Sequence, residues 1–203
     1  MATHLHHRYA RARWLDKRTV LTLPRGFLEG SSTRCSAKGP VLLETISLEA
    51  ERTRGYADTF IREMRWEIES AVRAGLDTLP RLRCIDERPG HATPEFRTLA
   101  IPISNGGTSA SPEVLSGTIA NFAQQRSPCR LVLVVDAVQE SAEGERGSIL
   151  IVEARDHLGT RLYLMQPYGT RENRVEWGAP LDGGWHEPGE QEMILDAAFQ
   201  LPR

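Results

Sequence analysis

Two acidic positions are the first residues to question for chemistry. Asp136 interrupts an otherwise apolar run at 131–138 (LVLVVDAV), and Glu153 stands near the end of another at 148–154 (SILIVEA). Carboxylates on neighbouring strands can hold a divalent metal pair, provided that they converge within about 4 Å of it. Residues 104–111 (SNGGTSAS) form a second candidate, bringing Gly106, Gly107, Thr108, Ser109 and Ser111 to a helix start marked by Pro112. Backbone N–H groups and the positive end of a helix dipole attract anions at such a place. The loop has no basic residue and neither GxxxxGK[ST] nor GxGxxG, and Pro112 removes a donor. The plainer reading is therefore a connector leading into a capped helix. A third candidate pairs His157 with Asp156, with His91 and His186 elsewhere. No GxSxG elbow accompanies them, and a histidine in a turn is ordinarily a solvated one.

Tyr168, Trp177 and Trp185 concentrate aromatic surface near the C-terminal end. Such residues are enriched at interaction hot spots and also in the cores of small sheets. Cys35, Cys84 and Cys129 are odd in number and widely spaced, and His4, His6 and His7 lie in a segment with no regular pattern. Neither a disulfide framework nor a zinc site is indicated, and no metal or cofactor is expected. Free cysteines fit a reducing compartment, so a cytoplasmic location is expected.

A helix followed by a three-strand meander carrying Asp136 and then Glu153-x-Arg155 is similar in outline to the restriction-endonuclease-like core. That resemblance implies a metal-dependent nuclease site. The chain departs from it at Arg155, where that core has lysine, and at Glu153, which falls in the second meander strand rather than the third. A simple hairpin register also sets Asp136 opposite Leu150, not Glu153.

The elements that would position these residues follow from periodicity. Three strand-like runs at 131–138, 148–154 and 160–167 are separated by an acidic connector and by a short turn ending in Gly159. Every position of 131–135 is apolar, so this strand is expected to be covered on both faces. A weaker strand at 174–177 follows, and 81–87 and 96–103 read as further strands, the last limited by Pro102. Phe60, Ile61, Met64, Ile68 and Val72 recur at helical spacing and predict a helix over 58–74. A shorter helical segment from Ser47 is expected to break at Gly55. Trp66 falls beside the charged face, where it would cover a loop or meet a partner. Leu115, Ile119, Phe122 and Ala123 predict a second helix over 112–126, and 190–199 a modest third.

The expected class is α+β: a mainly antiparallel sheet built on a three- to four-strand meander at 130–178, with two to three packed helices. The helices at 58–74 and 112–126 are expected on one face. With 203 residues and 40% hydrophobic content, the chain can form one sizeable core. Residues 1–40 carry eight Lys/Arg against two acids, a net +6, while the whole chain carries −2. They read as a basic, disordered tail or linker, leaving 41–203 as a single α+β domain.

A near-neutral whole chain argues against general nucleic-acid binding, except weakly through the basic N-terminal segment. No membrane-spanning run is present. The resulting expectation is a non-enzymatic interaction or accessory protein with a protein partner. The alternative is a hydrolase or a nucleotide- or anion-binding enzyme using 104–111, or a metal-dependent site at Asp136 and Glu153.

Overall fold

Leu131, Val132, Leu133, Val134 and Val135 are all fully buried. Successive strand side chains point to opposite faces, so this run demands cover on both sides of the sheet. The computed structural model describes residues 40–87, 93–101, 112–140 and 146–199. The elements are α1 (Pro40–Ala74), β1 (Arg81–Asp86), β2 (Glu95–Ala100), α2 (Pro112–Arg126), β3 (Arg130–Glu140), β4 (Arg146–Asp156), β5 (Arg161–Arg171) and β6 (Arg174–Trp177). Two 3-10 turns follow, Leu181–Gly183 and Ile194–Phe199. The proposed tail, His91 and the loop 104–111 lie outside the described residues.

The strands form one curled six-stranded sheet in the order β2-β1-β3-β4-β5-β6, every neighbouring pair antiparallel. The α+β class holds, but the sheet is larger than the expected meander, because β1 and β2 join it through β3. β2 and β3 both run opposite to β1 and hence parallel to each other. The chain between them, which includes α2, therefore crosses over β1.

The two helices do not share a face. Ala57, Phe60, Ile61, Met64 and Ile68 of α1 pack on Val132, Val134, Leu150 and Val152. Leu115, Ile119 and Ala123 of α2 pack with Leu195 on the opposite side, against Leu131, Leu133, Val135, Ile149 and Ile151. Between Leu131 and Val135 the even- and odd-numbered residues of β3 thus feed separate cores. Both helices on one face would have left the odd-numbered half of this strand's apolar surface to the C-terminal segment around Leu195 alone.

α1 also runs straight through Gly55, where a break is predicted. A lone exposed glycine costs a helix only about 1 kcal/mol. Thr53 and Ala57, both fully buried, anchor the helix on either side of it. Residues 190–199 form only a six-residue 3-10 turn instead of an α-helix.

Two turns follow local chemistry. β5 and β6 are joined by Glu172 (φ 50°) and Asn173 (φ 61°), the two positive-φ positions of a type I′ hairpin. Between β4 and β5, Gly159 takes φ 107°, and Asp156 Oδ1 accepts from the N–H groups of Leu158 and Thr160, each at 2.9 Å. Pro167 sits inside β5 with its carbonyl accepting from the Gly178 N–H at 2.9 Å. A Cβ at Gly178 would lie 3.1 Å from the ring and the carbonyl oxygen of Pro167, so glycine lets the two strands approach without displacing either.

Candidate functional site

At one end of the sheet, on the α1 side, charged groups close on a single buried arginine. Arg130 opens β3 with only 2% of its side chain exposed. Its guanidinium donates to Glu87 Oε2 from Nε (3.0 Å) and Nη2 (2.8 Å). It also donates to Thr53 Oγ1 (2.8 Å), to Asp156 Oδ2 (3.2 Å) and to the Glu49 carboxylate. Thr53 in turn donates to Asp156 Oδ2 at 2.9 Å. Arg52 (2.8 Å) and the Tyr56 hydroxyl (2.6 Å) complete the surround of Glu87. Burial alone would raise the Glu87 carboxyl, but the donors Tyr56 and Arg130 hold it below the usual range. Burial likewise opposes the charge on Arg130, and Glu49 and Glu87 override it. Three carboxylates around two guanidiniums, with donors matched to acceptors, make a clamp that ties α1 to the ends of β1, β3 and β4. His157 stays outside it, exposed, with Nδ1 3.0 Å from the Cys129 carbonyl. Asp156 therefore orients Arg130 and the turn rather than a catalytic histidine.

The paired-carboxylate site does not assemble. Asp136 does lie opposite Leu150, as the simple register predicts. Its carboxylate accepts from Thr78 Oγ1 and from the Tyr168 hydroxyl, both at 2.6 Å, on the α1 side. Glu153 follows Ile149 and Ile151 on the α2 side. The sheet separates the two carboxylates, and Arg155 pairs instead with Asp196 at 2.5 Å. Among the described residues, no group of three or more His, Cys, Asp or Glu side chains could hold a metal ion.

Glu153 has another task. It lies between Leu133 and Tyr163 on the neighbouring strands, and its Oε2 accepts the Leu195 N–H at 3.0 Å. Asp196, one residue further on, is gripped by Arg155 and Arg161. This latch fastens the C-terminal 3-10 turn over the sheet. Burial pushes the Glu153 carboxyl up to about 7, against the lowering effect of the Leu195 and Ile194 N–H groups. A carboxyl poised near neutrality suits a general base. Glu153 is itself buried, however, beneath the C-terminal 3-10 turn.

The raised value carries a stability consequence. The neutral, buried carboxyl contributes fully below the ordinary value of 4.5, and its contribution is lost as pH rises to about 7. At 1.36 kcal/mol per pH unit the loss is on the order of 3 kcal/mol. Glu153→Gln keeps an acceptor for Leu195 and cannot ionise. Its stability relative to the parent is expected to climb between pH 4.5 and 7 and then level off, as read by urea melts across that range. A pH-independent difference would mean that the carboxyl titrates normally.

The aromatic trio braces α1 rather than forming an open patch. Tyr168 is buried, and its ring lies 5.0 Å from that of Trp177. Trp177 Nε1 donates to Glu69 at 2.9 Å, and Trp185 Nε1 to Asp58 at 2.8 Å. Trp66 behaves differently. It is 69% exposed on the outer side of α1, beside a shallow groove of about 620 Å3 lined by Thr59, Arg62, Glu63 and Glu67. Glu63 and Glu67 of that groove are tied to Arg83 and Arg81 of β1.

Among the described residues, no helix is long and apolar enough to cross a membrane. The fold and its clamps define an α+β domain with a two-faced antiparallel sheet. Compared with known proteins, the chain matches no family model, no curated protein and no solved structure.

Proposed function

We propose that this chain is an interaction or accessory domain that docks a protein partner through the outer face of α1. The observation that carries this reading is Trp66. The helix already has a complete apolar face against the sheet, in Phe60, Ile61, Met64 and Ile68. A tryptophan on the other side serves no packing need within the described residues. Covering the rest of its ring, on the order of 150 Å2, would be worth roughly 4 kcal/mol at about 25 cal/mol per Å2. Tryptophan is among the residues most enriched at interface hot spots. The ion pairs of Glu63 and Glu67 fix the groove's floor, so little side-chain freedom would be lost there on binding. The enzyme alternative rests on 104–111, outside the described residues, and on Asp136 with Glu153, which lie on opposite faces.

Trp66→Ala is expected to keep the unfolding free energy within about 0.5 kcal/mol, as exposed positions do. Partners co-purifying with the parent protein from its source cells should be lost with the variant. Concentration-dependent sedimentation that disappears in the variant would make the partner a second copy. An identical set of partners and identical sedimentation in both proteins would defeat the reading.

A further inference from the structure

The segment from Gly189 to Phe199 lies over the α2 side of the sheet without joining it as a strand. Side chains hold its main chain instead. Arg161 donates to the carbonyl of Gly189, at 2.6 Å, and to that of Gln191. Ser116 of α2 donates to the Ile194 carbonyl at 3.0 Å, and Glu153 accepts the Leu195 N–H. Asp196, held by Arg155 and Arg161, also accepts the Met193 N–H at 2.8 Å. Leu195 is fully buried in the cluster that contains Leu115, Ile119, Leu133 and Ile151. The chain enters the segment through Gly184 (φ 121°) and Gly189 (φ 61°), on either side of a single bridge between His186 and Tyr163.

We infer that this segment is a pH-gated strap: ionisation of Glu153 loosens it from the sheet and opens the apolar groove beneath Leu195. Glu153 is buried between the sheet and the strap, with Leu133 of β3 and Tyr163 of β5 as its cross-strand neighbours. His186 packs its ring against that of Tyr163 at 5.6 Å. α2 brings the Ser116 hydroxyl and the apolar Leu115 and Ile119 to the same side. Arg155 and Arg161 form their ion pairs with Asp196, and no ion pair reaches Glu153 among the described residues. Its ionised form therefore has backbone donors but no countercharge, and lifting the strap returns it to water. Burial raises the carboxyl to about 7. The Leu195 and Ile194 N–H groups lower it, Asp196 raises it further and Arg161 lowers it. In the lifted state the carboxyl returns towards its ordinary 4.5, so opening sheds a proton between the two values and is favoured as pH rises. From about pH 6 to about pH 8 the opening constant grows about tenfold, and above that it levels off.

Hydrogen exchange of the full-length protein, followed amide by amide, tests this. The Leu195 and Asp196 amides, bonded to Glu153 and to the Met193 carbonyl, are expected to exchange through a local opening. Low urea should not promote that opening, whereas the β3 amides should exchange only through the urea-sensitive global unfolding. Protection of Leu195 and Asp196 should fall about tenfold from about pH 6 to about pH 8. Glu153→Gln should abolish the fall, and His186→Asn should keep it. Exchange of Leu195 with the urea dependence of the β3 amides would overturn the inference. So would pH-independent protection in the parent, a fall that survives in Glu153→Gln, or its loss in His186→Asn. The parent's two results decide the matter even if Glu153→Gln fails to fold. None of these readouts depends on Trp66, which lies on the outer side of α1.

Discussion

Arg130→Met is expected to lower the unfolding free energy by about 3–5 kcal/mol, the usual cost of removing one partner from a buried ion pair. The reason lies in what the arginine leaves behind. Asp156 has a fully buried side chain, and Glu87 is 16% exposed. Both keep other donors: Thr53, Leu158 and Thr160 for Asp156, and Arg52 and Tyr56 for Glu87. They would nonetheless face each other without the central positive charge. Arg130→Lys should recover only part of the loss. A single ammonium cannot reproduce the planar fork that reaches Glu87, Thr53 and Asp156 together.

Asp156→Asn in the Arg130→Met background should cost less than it does alone, because the charge it removes has already lost its partner. A coupling of about 0.5–3 kcal/mol is expected from a double-mutant cycle in urea. Raising salt should change these numbers little, since the clamp is buried and poorly screened. A loss below about 1 kcal/mol, or strict additivity, would show that the clamp does not hold α1 to the sheet.

The legible parts of this fold were those written in local pattern. The Ser111-Pro112 start and the 3.6-residue stripe placed α2, and apolar runs bounded by turn residues placed β3 to β6. The unbroken run at 131–135 already required cover on both faces, but did not say which element covers which: α1 takes one face, and α2 with the segment around Leu195 takes the other. The clamp was not legible, because its bonds join residues far apart: Arg130 meets Thr53 across 77 positions and Asp156 across 26. Sequence marks Asp156 as a turn former ahead of Gly159 but gives no sign of the helix that lies over it. The part Glu153 plays at the C-terminal turn was hidden for the same reason. A glutamate closing an apolar strand looks like an edge residue until the segment at 193–199 covers it. Gly55 misled in the opposite direction, since tertiary contacts at Thr53 and Ala57 outweigh a small local penalty.

β3 supplies the other large effect. Leu133 and Val134 are both fully buried, Leu133 between Leu82 and Glu153 on the α2 side and Val134 between Arg81 and Val152 on the α1 side. Leu133→Ala should cost about 2–5 kcal/mol, through lost apolar contact and the cavity left beneath α2. Val134→Asp should cost more, because it sets a carboxylate against Met64, Ile68 and Val152 in the α1 core. That carboxylate would have to stay neutral or draw in water, and either choice breaks close packing. Domains of this kind have only about 5–15 kcal/mol of stability in all, so Val134→Asp should be largely unfolded at 25 °C. Gln124→Ala, on the exposed side of α2, is the control and should stay within about 0.5 kcal/mol. Urea melts followed by circular dichroism separate the cases. Parent-like melting of Val134→Asp would mean that the α1 face of the sheet is open to water. Parent-like melting of Leu133→Ala would say the same of the α2 face. The two-sided core requires both variants to fail.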